Sequence, residues 1–219
     1  MLFNLPNQLQ DQIQLGREPL ALLTSSKLLS VISLFKTNLE PQINQITDHY
    51  DDYYNDFDIW TINGASARGC MYILEWWLKA HHQSGLELKY DHYAIDLASC
   101  NGHLEILEWW LKAHNESGLE LKYREGINSA SCNGHVKILE WWLRAHNELG
   151  LELKYTESAM NLASRYGQVE VLEWWLKTHQ STGLELKYTK HWIIKWDTFC
   201  DSKALKWWKN SGLKIPYGR

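Results

Sequence analysis

The chain has 219 residues, 45% of them apolar and 22% charged, with a formal net charge of -4, a composition ordinary for a folded protein and far from a disordered one. That charge, with no Lys/Arg run able to track phosphates, argues against nucleic acid as a partner, and no apolar run approaches the roughly 20 residues of a membrane-spanning helix. The opening MLFNLPNQLQ lacks the basic start and apolar middle of a secretory signal, and four scattered cysteines make no disulfide scaffold, so a reducing cytoplasmic or nuclear setting is expected.

Residues 1 to 58 do not repeat. Pro6 stands as a first-turn residue, Leu9 and Ile13 follow at helical spacing and Gly16 reads as a stop, which predicts a short helix. From Pro19 to Phe35 apolar residues are too dense for one stripe and predict one or two helices buried on several sides. Pro41 closes that segment, a third helix is expected through Ile43 and Ile46, and the acidic, tyrosine-rich Asp48 to Asp58 reads as a connection; its alternative is a docking surface for a basic partner. The segment as a whole is expected to be a helical N-terminal cap.

From Ile59 the chain repeats itself. The run LEILEWWLKAHNESGLELKY, Leu104 to Tyr123, has near-copies at Met71 to Tyr90, Val136 to Tyr155 and Val169 to Tyr188, and a shortened one at Leu205 to Tyr217. The second tryptophans of the five pairs, Trp77, Trp110, Trp142, Trp175 and Trp208, are 33, 32, 33 and 33 residues apart, a period that signals stacked repeats, with residues 59 to 219 forming four full units and a degenerate fifth.

Each unit divides into three parts. In the second, Tyr93, Ala94, Leu97 and Ala98 predict a short helix over Tyr93 to Cys100 with small residues on its buried side, ended by Asn101 and Gly102. A second helix is expected from about Leu104 to about His114. At 100 degrees per residue, Leu104, Leu107, Leu111 and His114 form one stripe, with Trp110 beside it. Ile106, Trp109 and Ala113 form another, which leaves Glu105, Glu108, Lys112 and Asn115 for solvent. The pairs Glu75 and Lys79, Glu108 and Lys112, Glu140 and Arg144, and Glu173 and Lys177 have the favourable i,i+4 order, worth about 0.2 to 0.5 kcal/mol each. From Gly118 the period changes to 2, so GLELKY reads as extended, with columns of glutamate (Glu87, Glu120, Glu152, Glu185) and lysine (Lys89, Lys122, Lys154, Lys187) expected to compensate one another between rungs.

The run AIDLASCNGHLEILEWWLKA, Ala94 to Ala113, resembles the helix-turn-helix core of an ankyrin repeat, whose familiar form is TPLHLAAxxGHLEVVxLLLxxGA. The Gly-His turn matches at Gly102/His103 and Gly134/His135 and becomes Gly167/Gln168 and Gly69/Cys70 elsewhere. The TPLH start is absent, and three to four extra residues precede GLELKY, departures similar to the divergent ankyrin-like repeats of amoebae and of the giant viruses that infect them. The resemblance covers residues 59 to 217. It implies an all-α, ankyrin-type helix-turn-helix solenoid with short extended segments between repeats, no catalytic apparatus and no cofactor, acting through protein-protein interaction. A viral chain of this kind would work in the host cytoplasm.

The repeated chemistry reads as framework. Cys100 and His103, then Cys132 and His135, give C-x-x-H twice, but zinc ligands must lie within about 4 Å of one another, whereas equivalent positions on stacked helices are about 8 to 10 Å apart; no metal is expected. His81, His114, His146 and His179 recur near the second helix's end, where satisfying helix-end carbonyls outweighs a proton switch near pH 6.5. The tryptophan pairs read as core. Specificity is therefore expected where the copies differ, just after the repeated tyrosine: Asp91, His92 and Tyr93; Arg124 and Glu125; Thr156, Glu157 and Ser158; Lys190, His191 and Trp192. These fall at successive starts of the first helices, the face ankyrin-like proteins commonly use for binding, and the partner is expected to be a protein. The alternative is a ubiquitin-ligase adaptor, since LPNQLQDQI, Leu5 to Ile13, resembles the start of an F-box without its usual tryptophan.

Overall fold

A computed structural model describes residues 61–85, 87–189 and 201–213. The expected cap, the Leu5 to Ile13 stretch and the acidic connection lie outside the described residues, as do Lys190, His191 and Trp192. Every regular element among the described residues is a helix: α1 Ile62–Ala67, α2 Met71–Ser84, α3 Tyr93–Cys100, α4 Leu104–Ser117, α5 Gly126–Cys132, α6 Val136–Leu149, α7 Ser158–Arg165, α8 Val169–Thr182 and α9 Ser202–Asn210. They form pairs in register. The short helices α1, α3, α5 and α7 pack on one another in sequence, and the long helices α2, α4, α6, α8 and α9 do the same beside them.

Small residues set the spacing of the short helices. Ala65, Ala98, Ala130 and Ala163 occupy the same repeat position and are fully buried, so backbones approach closely where larger side chains would hold them apart. Tyr93 departs from the expected buried stripe and is 43% exposed, because the helix turns its first residue outward while Ala94 through Cys100 are buried.

The long helices run a turn further than the expected end near His114: α4 reaches Ser117, and Gly118 closes it in the left-handed conformation with its amide donating to the His114 carbonyl. The extra residues before GLELKY are that last turn. Ile106, Leu107, Trp109, Trp110 and Ala113 are buried. Leu104 and Leu111 are only half-buried and His114 is exposed, so the core-facing side is centred on the tryptophans rather than on the leucine stripe.

Tryptophan holds the pairs together. Trp110, Trp142, Trp175 and Trp208 are each 1% exposed. Burying one such ring removes on the order of 200 Å² from water, worth up to about 5 kcal/mol at ~25 cal/mol per Å² as an upper bound. Each indole N–H also crosses to the preceding short helix: Trp110 to Ser66 Oγ (3.1 Å), Trp142 to Ser99 (3.3 Å), Trp175 to Ser131 (3.2 Å) and Trp208 to Ser164 (2.8 Å). The other indole of each pair packs edge-on at 5.0–5.1 Å between centroids, the arrangement aromatic quadrupoles favour.

Among the described residues the GLELKY segments form neither helix nor strand. They are joined through side chains instead. Tyr90, Tyr123 and Tyr155 donate their hydroxyls to the carbonyls of Glu120, Glu152 and Glu185 in the next unit, at 3.0, 3.1 and 2.8 Å. In return Lys122, Lys154 and Lys187 reach back to the carbonyls of those tyrosines at 3.3–3.5 Å and lie 4.4–4.7 Å over their rings. The lysines thus pair with tyrosine of the preceding rung, where compensation by its glutamate was expected. A protonated amine over a π-face gains without giving up its carbonyl bond. The i,i+4 expectation is also revised at Arg144, which forms an ion pair with Glu108 of the preceding long helix.

Candidate recognition edge

The edge predicted from sequence lies where each extended segment enters the next short helix. Its first position proves to be a joint. Asn63 donates to Asp91 Oδ1 at 2.9 Å and receives the Asp91 amide at 3.3 Å; Asn128 does the same with Thr156 at 3.2 and 3.0 Å, and Asn161 with Thr189 at 2.7 and 3.2 Å. Asp91 and Thr156 then accept the amides of Tyr93 (2.9 Å) and Ser158 (3.2 Å), starting the next helix. Asp91 Oδ1 and Thr156 Oγ1 are thus engaged in the joint, although both residues remain exposed.

The one-residue deletion that shortens the second spacing to 32 has a matching change beneath it. Aspartate replaces asparagine at Asp96, and both its oxygens accept the Arg124 amide at 3.1 Å while Oδ2 accepts the Glu125 amide at 3.2 Å. Burial pushes the Asp96 carboxyl above its ordinary value, opposed by those amides. Gly126 starts α5 because a Cβ there would meet Ser99 Oγ at 2.9 Å and the Trp142 ring at 3.0 Å.

With Asp91 and Thr156 assigned to the frame, the outward side chains are Tyr93, Arg124, Glu125 and Glu157, all exposed, with His92 and Ser158 half-buried beside them. His92 leans on Tyr93 at 4.3 Å between ring centroids. The edge thus offers an aromatic pair on one rung, opposite charges on the next and a carboxylate on the third. The sequence reading missed the Asn/Asp column and Thr189; the recurring Asn at 63, 128 and 161 was the signal available.

The other candidates resolve into framework. Cys100 Sγ is bonded by Asn133 Nδ2 at 3.1 Å, and the His103 and His135 rings lie over Gly69 and Gly102 of the preceding turns. Neither histidine caps its own helix by a side-chain hydrogen bond. Among the described residues no group of three or more His, Cys, Asp or Glu could hold a metal ion. His114, His146 and His179 donate from Nδ1 to the carbonyls of Leu119, Leu151 and Leu184 at 2.7–2.8 Å. These carbonyls lie just past the helix-capping glycine rather than in the last helical turn, so the histidines pin the start of each extended segment.

A groove of about 350 Å³ opens between α8 and α9, lined by Glu173, Leu176, Lys177, Gln180, Trp207, Asn210 and Ser211. On that side α9 has 9 residues where α8 has 14, so among the described residues the end of α8 extends past it. No residue of the recognition edge lines it. Among the described residues no helix is long and apolar enough to cross a membrane. Compared with protein-family models, with curated proteins and with solved structures, the chain matches none.

Proposed function

We propose that the chain is an ankyrin-like solenoid of four full repeats and a degenerate fifth, and that it works as a non-enzymatic scaffold holding a protein partner along the starts of its short helices. One observation carries this reading. The backbone at that edge is held rung after rung by the same Asn/Asp bonds to the next unit, while the set of side chains pointing away from it changes along the edge: Tyr93 on the first rung, Arg124 beside Glu125 on the second and Glu157 on the third. A rigid frame presenting unlike side chains at fixed spacing suits recognition of a surface, since a pre-organised site loses little entropy on binding. Catalysis needs unlike groups converging on one point, and these are spread along a line.

The test is affinity capture of the full chain from its host's lysate, repeated with Tyr93, Arg124, Glu125 and Glu157 changed to serine together. A control variant carries four changes on the opposite, solvent-facing side, at Glu105, Lys112, Glu140 and Lys177. Loss of captured proteins with the edge variant alone, both variants keeping their helical signal, is the expected outcome; an unchanged set refutes the edge.

A further inference from the structure

A second column runs along the turns between short and long helices. Gly69, Gly102, Gly134 and Gly167 have φ between 69° and 81°; the first three are each covered by the side chain that follows the next turn's glycine, and Gly167 by Asp201. A Cβ on Gly69 would meet the His103 ring at 2.8 Å, one on Gly102 the His135 ring at 2.9 Å, one on Gly134 the Gln168 amide, and one on Gly167 the Asp201 carboxyl at 2.7 Å. These seams hold neighbouring pairs together without a methyl's width to spare. The first two seams are imidazoles, and the last two are not.

The groups around the imidazoles are few. His103 faces Glu105 on its own helix, 3.5 Å from Nδ1. Arg68 and Cys70 flank the Gly69 that it covers, and His135 stands on the following turn. Its Nε2 is buried without a hydrogen bond among the described residues. His135 faces His103 and the Cys100 backbone carbonyl, with Lys137 further along its own helix, and has no carboxylate partner among the described residues. In the fourth repeat Gln168 stands in the histidine's place and donates to the Cys132 carbonyl at 3.3 Å. That carbonyl corresponds to those of Ala67 and Cys100, which Asn101 and Asn133 satisfy at 2.6 and 3.0 Å. The chain therefore contains its own uncharged version of the seam.

We propose that the histidine-over-glycine seams form an acid-sensitive latch: protonating His103 and His135 loosens the first three helix pairs from one another, while the pairs seamed by Gln168 and Asp201 stay closed. Protonation would let the rings donate to the Ala67 and Cys100 carbonyls, but burial outweighs that gain at both, and a second charge on His135 adds repulsion between neighbouring rungs. The direction follows from linkage. Burial, outweighing Glu105 at His103, holds both imidazoles below their ordinary 6.5 in the folded chain. Above that value neither state binds the extra protons. As pH falls from 6.5 through the folded values the opened state takes up more, and closure weakens.

Hydrogen exchange on the full chain, at about pH 7.5 and about pH 5 with intrinsic rates corrected, reads this helix by helix. The expected result is loss of protection in α1, α3 and α5 at the lower pH with α7 and α8 unchanged. Replacing both residues, His103→Gln with His135→Gln, abolishes the loss, and Gln168→His alone extends it to α7. An equal loss in wild type and the double variant, or one spread evenly over all helices, overturns the proposal. Should the double variant not fold, Gln168→His decides, since no added acid sensitivity in α7 overturns it equally.

Discussion

The indole of Trp175 donates to Ser131 Oγ at 3.2 Å across the boundary between two helix pairs, 44 residues apart in the chain and with both partners buried. Three other pairs repeat the bond, so a polar contact is built into each stretch of core between units. A buried donor that loses its acceptor forfeits its desolvation energy, whereas removing both partners together forfeits much less. Ser131→Ala should therefore destabilise the chain by about 1 to 3 kcal/mol. Trp175→Phe on top of it should add less than Trp175→Phe costs alone. Urea midpoints of the four members of this cycle check it, and strict additivity would mean the hydrogen bond contributes nothing.

The two tryptophans of a pair should differ in the same way. Trp142 has its serine partner, Ser99, while the Trp141 Nε1 is buried with no hydrogen bond among the described residues. Replacing each by Phe removes similar area, but only Trp142→Phe strands a hydroxyl. We expect Trp142→Phe to cost about 1 kcal/mol more than Trp141→Phe in thermal or urea unfolding.

Much of this was readable before any coordinates. The 33-residue period, the short helix Tyr93–Cys100 and the burial of Trp110, Trp142, Trp175 and Trp208 (Trp77, in the first pair, is only half-buried) follow from spacing, because helical periodicity and copying are local properties of the string. The bonds that join copies are not. Ser99 reaches Trp142 and Asn63 reaches Asp91 over 43 and 28 residues, and a buried serine following an alanine looks like any other small residue until its neighbour is placed. At the edge the sequence marked Asp91 and Thr156 as variable, hence free; both are bonded to the unit before, since aspartate and threonine offer the same acceptor to the same asparagine. Lysine misled for a related reason: charge suggested the neighbouring rung's glutamate as its partner, and the carbonyl and ring of that rung's tyrosine take the amine instead.

The tyrosine–lysine ladder predicts a specific pattern of coupling. Lys187 lies 4.4 Å over the Tyr155 ring and bonds the Tyr155 carbonyl, while the Tyr155 hydroxyl bonds Glu185. Tyr155→Phe keeps the ring and loses one partly exposed hydrogen bond, about 0.5 to 1.5 kcal/mol. Lys187→Met loses about 0.5 to 1 kcal/mol of cation–π attraction. The two should add, because the lost contacts are separate. Tyr155→Ala with Lys187→Met should fall short of additivity, because the alanine has already removed the face on which the lysine rests.

Asp96 offers a sharper measurement than its asparagine counterparts, because it alone among the four carries a charge. Asp96→Ala leaves the Arg124 and Glu125 amides without their acceptor, where Asn128→Ala strands only that of Thr156, so the former should cost more, by about 1 kcal/mol for the additional amide. Its folded carboxyl sits above the ordinary 3.8, with burial the largest cause and the amides opposing. A raised folded value means that protonation favours the folded state: the contribution is fully present below the unfolded value and is lost as pH rises through the folded one. Subtracting the unfolding free energy of Asp96→Ala from that of wild type across this acidic range should therefore give a difference that shrinks as pH rises. A difference that grew with pH would show that the amides, and not burial, dominate at Asp96.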